Sequence, residues 1–289
     1  MGTQAAQQQT RVRLGPPPVP NDHGAYAMLL VPMLLGFLLA ALSGSMPNTN
    51  ALVSFTLFAV SLMSLFFASE PLGIVFRPRA SVGARRRASL WLGIYLLLAV
   101  ASGAPLLFIR QLWGLGWFLI PAAALMLLFL VAVKLRKQRS LGVRLPGIIG
   151  LTLSAPAAYY VATGTMNPAA LGLWAACVVY FVGTVFNVRA WFEANKQKRS
   201  GVARPQLPTW LVCSTLVYLA SGVLVISICA MLGALPWAAF VAFVPSLLRA
   251  GWTLWRTPVH LTIKTVGLIE FAQSFMFALL LVITIASAM

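Results

Sequence analysis

Acidic side chains are almost missing from this chain: Asp22, Glu70, Glu193 and Glu270 are the only four in 289 residues, and His23 and His260 are its only histidines. So small a stock contains no Ser-His-Asp arrangement, no phosphate-binding glycine loop and no cysteine and histidine metal cluster. Cysteine is scarce as well: Cys177, Cys213 and Cys229 fall inside apolar runs without ligand spacing, read as small core residues, and say nothing about redox compartment. Charged residues of all kinds make up 9% of the chain, against about a quarter in soluble domains. That deficit excludes a soluble globular protein.

What is present is apolar. Sixty per cent of residues are hydrophobic and the mean hydropathy is +0.90, and many runs reach the roughly 20 residues an α-helix needs to cross a bilayer. The fold class is therefore all-α, a polytopic transmembrane helical bundle. Spans are expected at 24–43, 50–76, 89–109, 112–134, 146–163, 168–193, 209–232, 236–254 and 259–287. Residues 1–22, rich in Gln and then in Pro and without a signal-peptide core, predict a disordered cytoplasmic tail before a transmembrane domain over 23–289.

The net charge of +17 is a matter of topology. Loops on one side read SGSMPNTN, TGTMNP and GALPW; those on the other read RPRASVGARRRAS, KLRKQRSLGVR and EANKQKRSGVARPQLP. Of the 21 basic residues only Arg110 falls on the first side. The positive-inside rule then places the N-terminus in the cytoplasm and the C-terminus outside an inner (plasma) membrane. Aromatic interleaving is absent from these loops, so the expected partners are membrane lipids and not nucleic acid. A repeat also shows: Pro32 and Pro156 stand 124 residues apart, as do Pro121 and Pro245, and Glu70 and Glu193 stand 123 apart. The spacing predicts two four-helix halves in parallel orientation plus a ninth helix.

Every acid and histidine falls at the cytoplasmic end of a span. Asn21 or Asp22 suits the N-cap of the first helix, and Gly24 and Ala25 beside His23 leave room for a close approach. In SEPLGIVFRPR, Glu70 and Arg77 are seven residues apart and share a face, with Glu70 roughly 10 Å inside the helix end. A carboxylate at that depth must face the bundle interior and find a cation. In FNVRAWFEANK, Arg189 and Glu193 have pairing spacing, and Asn187 is an amide inside the membrane that needs a partner. If the last helix starts after Pro258, His260, Lys264 and Gly267 share a face, and Glu270 is roughly 15 Å deep with Gln273 a turn further. Glu270 must then be neutral or held ionised by Lys264 or Arg249. Brought together, these groups would form a cytoplasm-facing chamber with more cations than acids, suited to an anionic head with a lipid-like tail.

The stretches HGAYAMLLVP, SEPLGIVFRPR, NVRAWFE and HLTIKTVGLIE resemble the YwiC-like family of bacterial membrane proteins over about residues 20–287. That resemblance implies a membrane protein without a settled biochemical function. The architecture is also similar to that of the UbiA-type intramembrane prenyltransferases, whose nine helices carry acidic motifs at the cytoplasmic ends of the second and sixth, where Glu70 and Glu193 stand. Those enzymes hold magnesium on a prenyl diphosphate with aspartate-rich pairs. This chain has only Asp22, so a magnesium site would rest on Glu70 and Glu193.

Three functions follow as expectations. In the first, the chamber binds or transforms an anionic amphipathic molecule, isoprenoid- or lipid-like. Arg77, Arg189 and Lys264 would hold the head, with His23, Asn187, Arg249 and His260 around it, and Glu70, Glu193 or Glu270 would act as acid, base or metal ligand. The second is a transporter, proton-coupled through Glu270 or His260. The third is a structural or assembly protein whose polar groups tie helices together.

Overall fold

The computed structural model describes residues 15–20, 23–44, 49–77, 80–135, 141–202, 206–255 and 262–288. The elements are α1 (His23–Leu42), α2 (Thr49–Phe76), α3 (Val82–Phe108), α4 (Gly116–Lys134), α5 (Leu141–Thr152), α6 (Ser154–Thr163), α7 (Pro168–Arg199), α8 (Thr209–Met231), α9 (Val244–Trp255) and α10 (Ile263–Ala286). Short 3-10 segments, Trp113–Leu115 and Trp237–Phe243, lead into α4 and α9. Among the described residues there is no strand, and nine spans are long and apolar enough to cross a membrane, α5 and α6 sharing one of them. The chain is a multi-pass membrane protein.

The helix ends differ from expectation where polar turns extend the helices past their apolar runs. α3 begins at Val82 and not at 89, because the Ser81 hydroxyl accepts from the Ala84 N–H at 3.3 Å and caps a turn that includes Arg85, Arg86 and Arg87. α7 likewise continues six residues beyond Glu193, to Arg199. Its start matches expectation, with Asn167 Oδ1 accepting from Ala169 N–H at 3.0 Å and Pro168 in the first turn. α10 starts at Ile263, with Thr262 as its cap and not Pro258 in its first turn. Glu270 is therefore about 10 Å into the helix instead of 15. Residues 15–20 are not loose either: Tyr26 and Tyr95 donate their hydroxyls to the carbonyls of Pro20 at 3.1 Å and Pro18 at 3.4 Å.

The fifth span is interrupted at Leu153, between α5 and α6. Pro156 has no N–H to offer the preceding turn, and the Thr152 hydroxyl turns back to the carbonyls of Ile148 and Ile149 at 2.9 and 3.0 Å. The Ser154 hydroxyl crosses to α1 and donates to the Leu29 carbonyl at 2.9 Å, in the turn that Pro32 disturbs. Here α1 and α6 lie backbone against backbone. A Cβ added to Gly36 would overlap the Ala155 carbonyl oxygen, so only glycine fits that crossing.

The halves interlock around this crossing. α2 packs on α3 and α7 on α8, α2 on α4 and α7 on α9, while α2 reaches α6 of the other half and α7 reaches α1. The 3-10 segments before α4 and α9 begin at Trp113 and Trp237, again 124 residues apart. α10 packs on α1 and on the 3-10 segment ahead of α9. The largest core cluster joins α1, α6, α7 and α10 through Leu35, Tyr159, Leu173, Phe181, Phe277 and Leu281. Ala155, Ala170, Ala176, Ala239 and Ala242 are fully buried and let the helices approach closely, as small residues do where lipid supplies no hydrophobic drive.

Candidate functional site

A stripe on α7 builds the site. Tyr180, Gly183, Thr184 and Asn187 recur at helical spacing, and all four line a cleft of about 660 Å³, mouth included, between α7, α8 and α9. α8 supplies Thr215, Tyr218 and Gly222, the 3-10 segment supplies Phe240 and Phe243, and α9 supplies Ser246, Leu247 and Ala250. Gly183 lets the Tyr218 ring lie against the α7 backbone, since a Cβ there would stand 2.8 Å from the Tyr218 hydroxyl. Val223 of α8 and Leu247 of α9 line the cleft and are 48% and 38% exposed.

Behind the cleft, α9 and α10 are joined by charge. Arg249 Nη2 stands 2.8 Å from Glu270 Oε1, and both side chains are 16% exposed. Arg249 Nη1 donates to Gln273 Oε1 at 2.5 Å, and Gln273 lines the cleft. Both Glu270 oxygens are buried, and Arg249 is the charged group that meets them. Tyr180 ties α7 into the same group. Its hydroxyl donates to Ser274 Oγ at 3.4 Å, Ser274 Oγ donates to the Glu270 backbone carbonyl at 2.9 Å, and its ring stacks on Phe277 at 4.1 Å.

Of the residues singled out in the sequence, Asn187 lines the cleft directly, and Arg249 and Glu270 stand behind Gln273. Glu70 and Arg77 do not line it. Glu70 sits on α2, whose neighbours are α3, α4 and α6, and Arg77 just follows its end. The expected pairing of Glu70 with Arg77 is not formed; Arg77 is exposed and its backbone carbonyl accepts from Arg85 Nη2 at 3.1 Å. Arg189 does not pair with Glu193 either. Its guanidinium lies 4.9 Å over the Trp210 ring at the seam of α7 and α8, a cation–π contact that suits a partly dry site better than a mobile exposed pair. Asp22 and His260 lie outside the described residues, and so do the side chains of His23 and Lys264.

Among the described residues the cleft therefore shows no excess of cations, because Glu270 balances Arg249. Magnesium fares no better. Among the described residues no three His, Cys, Asp or Glu side chains gather, and the best-buried carboxylate is already taken by a guanidinium. The described donor set does not fit that ion. Sequence reasoning missed Tyr180, Thr184, Tyr218 and Ser246. The stripe of small and polar residues leading to Asn187 was the signal that could have found the first two.

The model of the YwiC-like protein family matches residues 19–159. An uncharacterised protein of Haemophilus influenzae is 24% identical over 265 residues, covering 92% of this chain and 97% of its own. The uncharacterised protein YwiC of Bacillus subtilis is 23% identical over 266 residues, covering 90% of this chain and 94% of its own. No solved structure matches.

Proposed function

We propose that this membrane protein, YwiC-like over residues 19–159, binds an amphipathic, isoprenoid- or lipid-like molecule in the cleft between α7, α8 and α9. One observation carries the reading: the cleft has aromatic and aliphatic walls, apolar lining residues Val223 and Leu247 that are also exposed on the outer surface, and polar groups at Asn187, Ser246 and Gln273. A tail reaches such a site from the bilayer, and a head finds hydrogen bonds at the inner end.

In its enzyme form this reading is a UbiA-like intramembrane transferase. Glu70 and Glu193 are then the candidate acids, and Arg77 and Arg189, with His23, His260 and Lys264, the candidate holders of an anionic substrate part; Glu70, Glu193, Arg77 and Arg189 do not line the cleft and would act beside it. The setting is a bacterial inner membrane with the N-terminus in the cytoplasm and the C-terminus outside. The second reading is a proton-coupled transporter, favoured by the Arg249–Glu270 pair inside a span, where charged groups are costly and commonly functional. In the third, that same pair is helix glue between α9 and α10.

Mass spectrometry of lipids that co-purify with the protein tests the cleft. The wild type should carry one amphiphile far above its share of the membrane. Asn187→Leu, which removes the amide, and Leu247→Trp, which narrows the cleft, should each reduce it at least about tenfold, a loss of about 1.4 kcal/mol. Retention in both variants at unchanged thermal stability would remove the cleft from consideration.

A further inference from the structure

Among the described residues the polar end of the cleft is hydrogen-bonding but carries no net charge. Among the described residues no charged side chain lines it; its polar groups are Tyr180, Thr184, Asn187, Thr215, Tyr218, Ser246 and Gln273. The nearest cation on α9, Arg249, is balanced by Glu270 at 2.8 Å and turned toward Gln273 Oε1. With its oxygen taken, Gln273 has its amide N–H groups left to offer. Tyr180 spends its proton on Ser274, so its oxygen keeps lone pairs that can accept. Donors and acceptors together, in a site without net charge, match a head that both accepts and donates. An anion brought there would lose its hydration and meet no free cation.

Resting on the cleft reading above, we propose that Glu270 sets the head-group specificity of the site: by holding Arg249 it makes the cleft select a neutral hydroxyl-, carbonyl- or amide-bearing amphiphile over an anionic one. Glu270 acts through Arg249 and is a positioning residue. Arg249 is held between the Glu270 carboxylate and the Gln273 amide oxygen, so removing the Glu270 charge leaves the guanidinium uncompensated beside a residue that lines the cleft.

Two probes with one tail, farnesol and farnesyl phosphate, separate head from tail in equilibrium binding to the full chain in nanodiscs. The wild type should bind farnesol at least about tenfold tighter than farnesyl phosphate, a gap of the size that charge complementarity supplies. Glu270→Gln should keep farnesol binding within about threefold and tighten farnesyl phosphate at least about tenfold, by freeing Arg249. The double variant Arg249→Gln/Glu270→Gln, neutral throughout, should return to the wild-type preference, which distinguishes charge release from loosened packing. Equal or tighter binding of the phosphate by the wild type, or an unchanged preference in Glu270→Gln, would overturn the assignment while leaving the cleft reading intact. Binding of neither probe to the wild type would overturn both.

Discussion

Gly36→Ala should abolish the folded protein, or lower its stability by several kcal/mol, although it adds one methyl group. The Cβ would overlap the Ala155 carbonyl oxygen and press on the Ala155 backbone, and neither helix can yield by turning a side chain. Overpacking a core ordinarily costs about 1–3 kcal/mol where side chains adjust. Here α1 and α6 would have to part, and the Ser154 hydrogen bond to Leu29 and the contacts of Leu35 and Tyr159 would part with them. The control lies in α3, where a Cβ at Gly93 meets nothing within 4 Å. Gly93→Ala should be neutral, or slightly stabilising through helix propensity. Thermal unfolding in detergent, read beside expression level, tells the two apart; equal Tm values would mean that α1 and α6 do not cross this closely. Gly172 should behave like Gly36, since its Cβ would stand 2.5 Å from the Ala234 carbonyl oxygen.

The Arg249–Glu270 pair should show the largest non-additivity in the molecule. Arg249→Leu leaves a carboxylate inside the span of α10, and Glu270→Leu leaves a guanidinium on α9, each with only 16% of its side chain exposed. Breaking a buried pair from one side costs roughly 3–5 kcal/mol, whereas replacing both partners with apolar residues is often neutral. Arg249→Leu should be the milder single change, because a carboxylate can take up a proton while a guanidinium cannot lose one. The double variant Arg249→Leu/Glu270→Leu should unfold within about 1–2 kcal/mol of the wild type. A denaturant titration of all four proteins in mixed micelles gives the coupling energy. Single losses that simply add would show that the two charges stand apart in the bilayer.

These residues also show how far the chain can be read without its fold. The spans were legible because hydrocarbon thickness sets their length, and the nine apolar runs lie close to the helices found. Helix ends were less so. The Arg85–Arg87 turn and the FEANKQKR turns extend α3 and α7 beyond the apolar windows, and caps such as Ser81 act on the backbone without changing hydropathy. The break at Leu153 was foreshadowed by Pro156, but Pro32 in the matching span leaves α1 continuous. Proline alone does not settle which helix gives way.

The candidate site divides along the same line. Asn187, Arg249, Glu270 and Gln273 stood out by chemistry alone, since polar groups inside apolar runs need partners. Who partners whom was decided elsewhere. Sequence spacing paired Glu70 with Arg77 and Arg189 with Glu193; the fold gives Arg189 to Trp210, Arg249 to Glu270, and leaves the α2 pair unmade. In a soluble protein, periodic hydrophobicity would have pointed each helix face inward or outward. In a bilayer both faces are apolar, so periodicity carries little of that information. The sequence by itself determined the membrane environment, the number of spans and the short roll of polar groups available. Only tertiary packing, through close contacts such as Gly36 on Ala155, decided which faces meet, and so which polar groups share a cleft and whose charge is cancelled there.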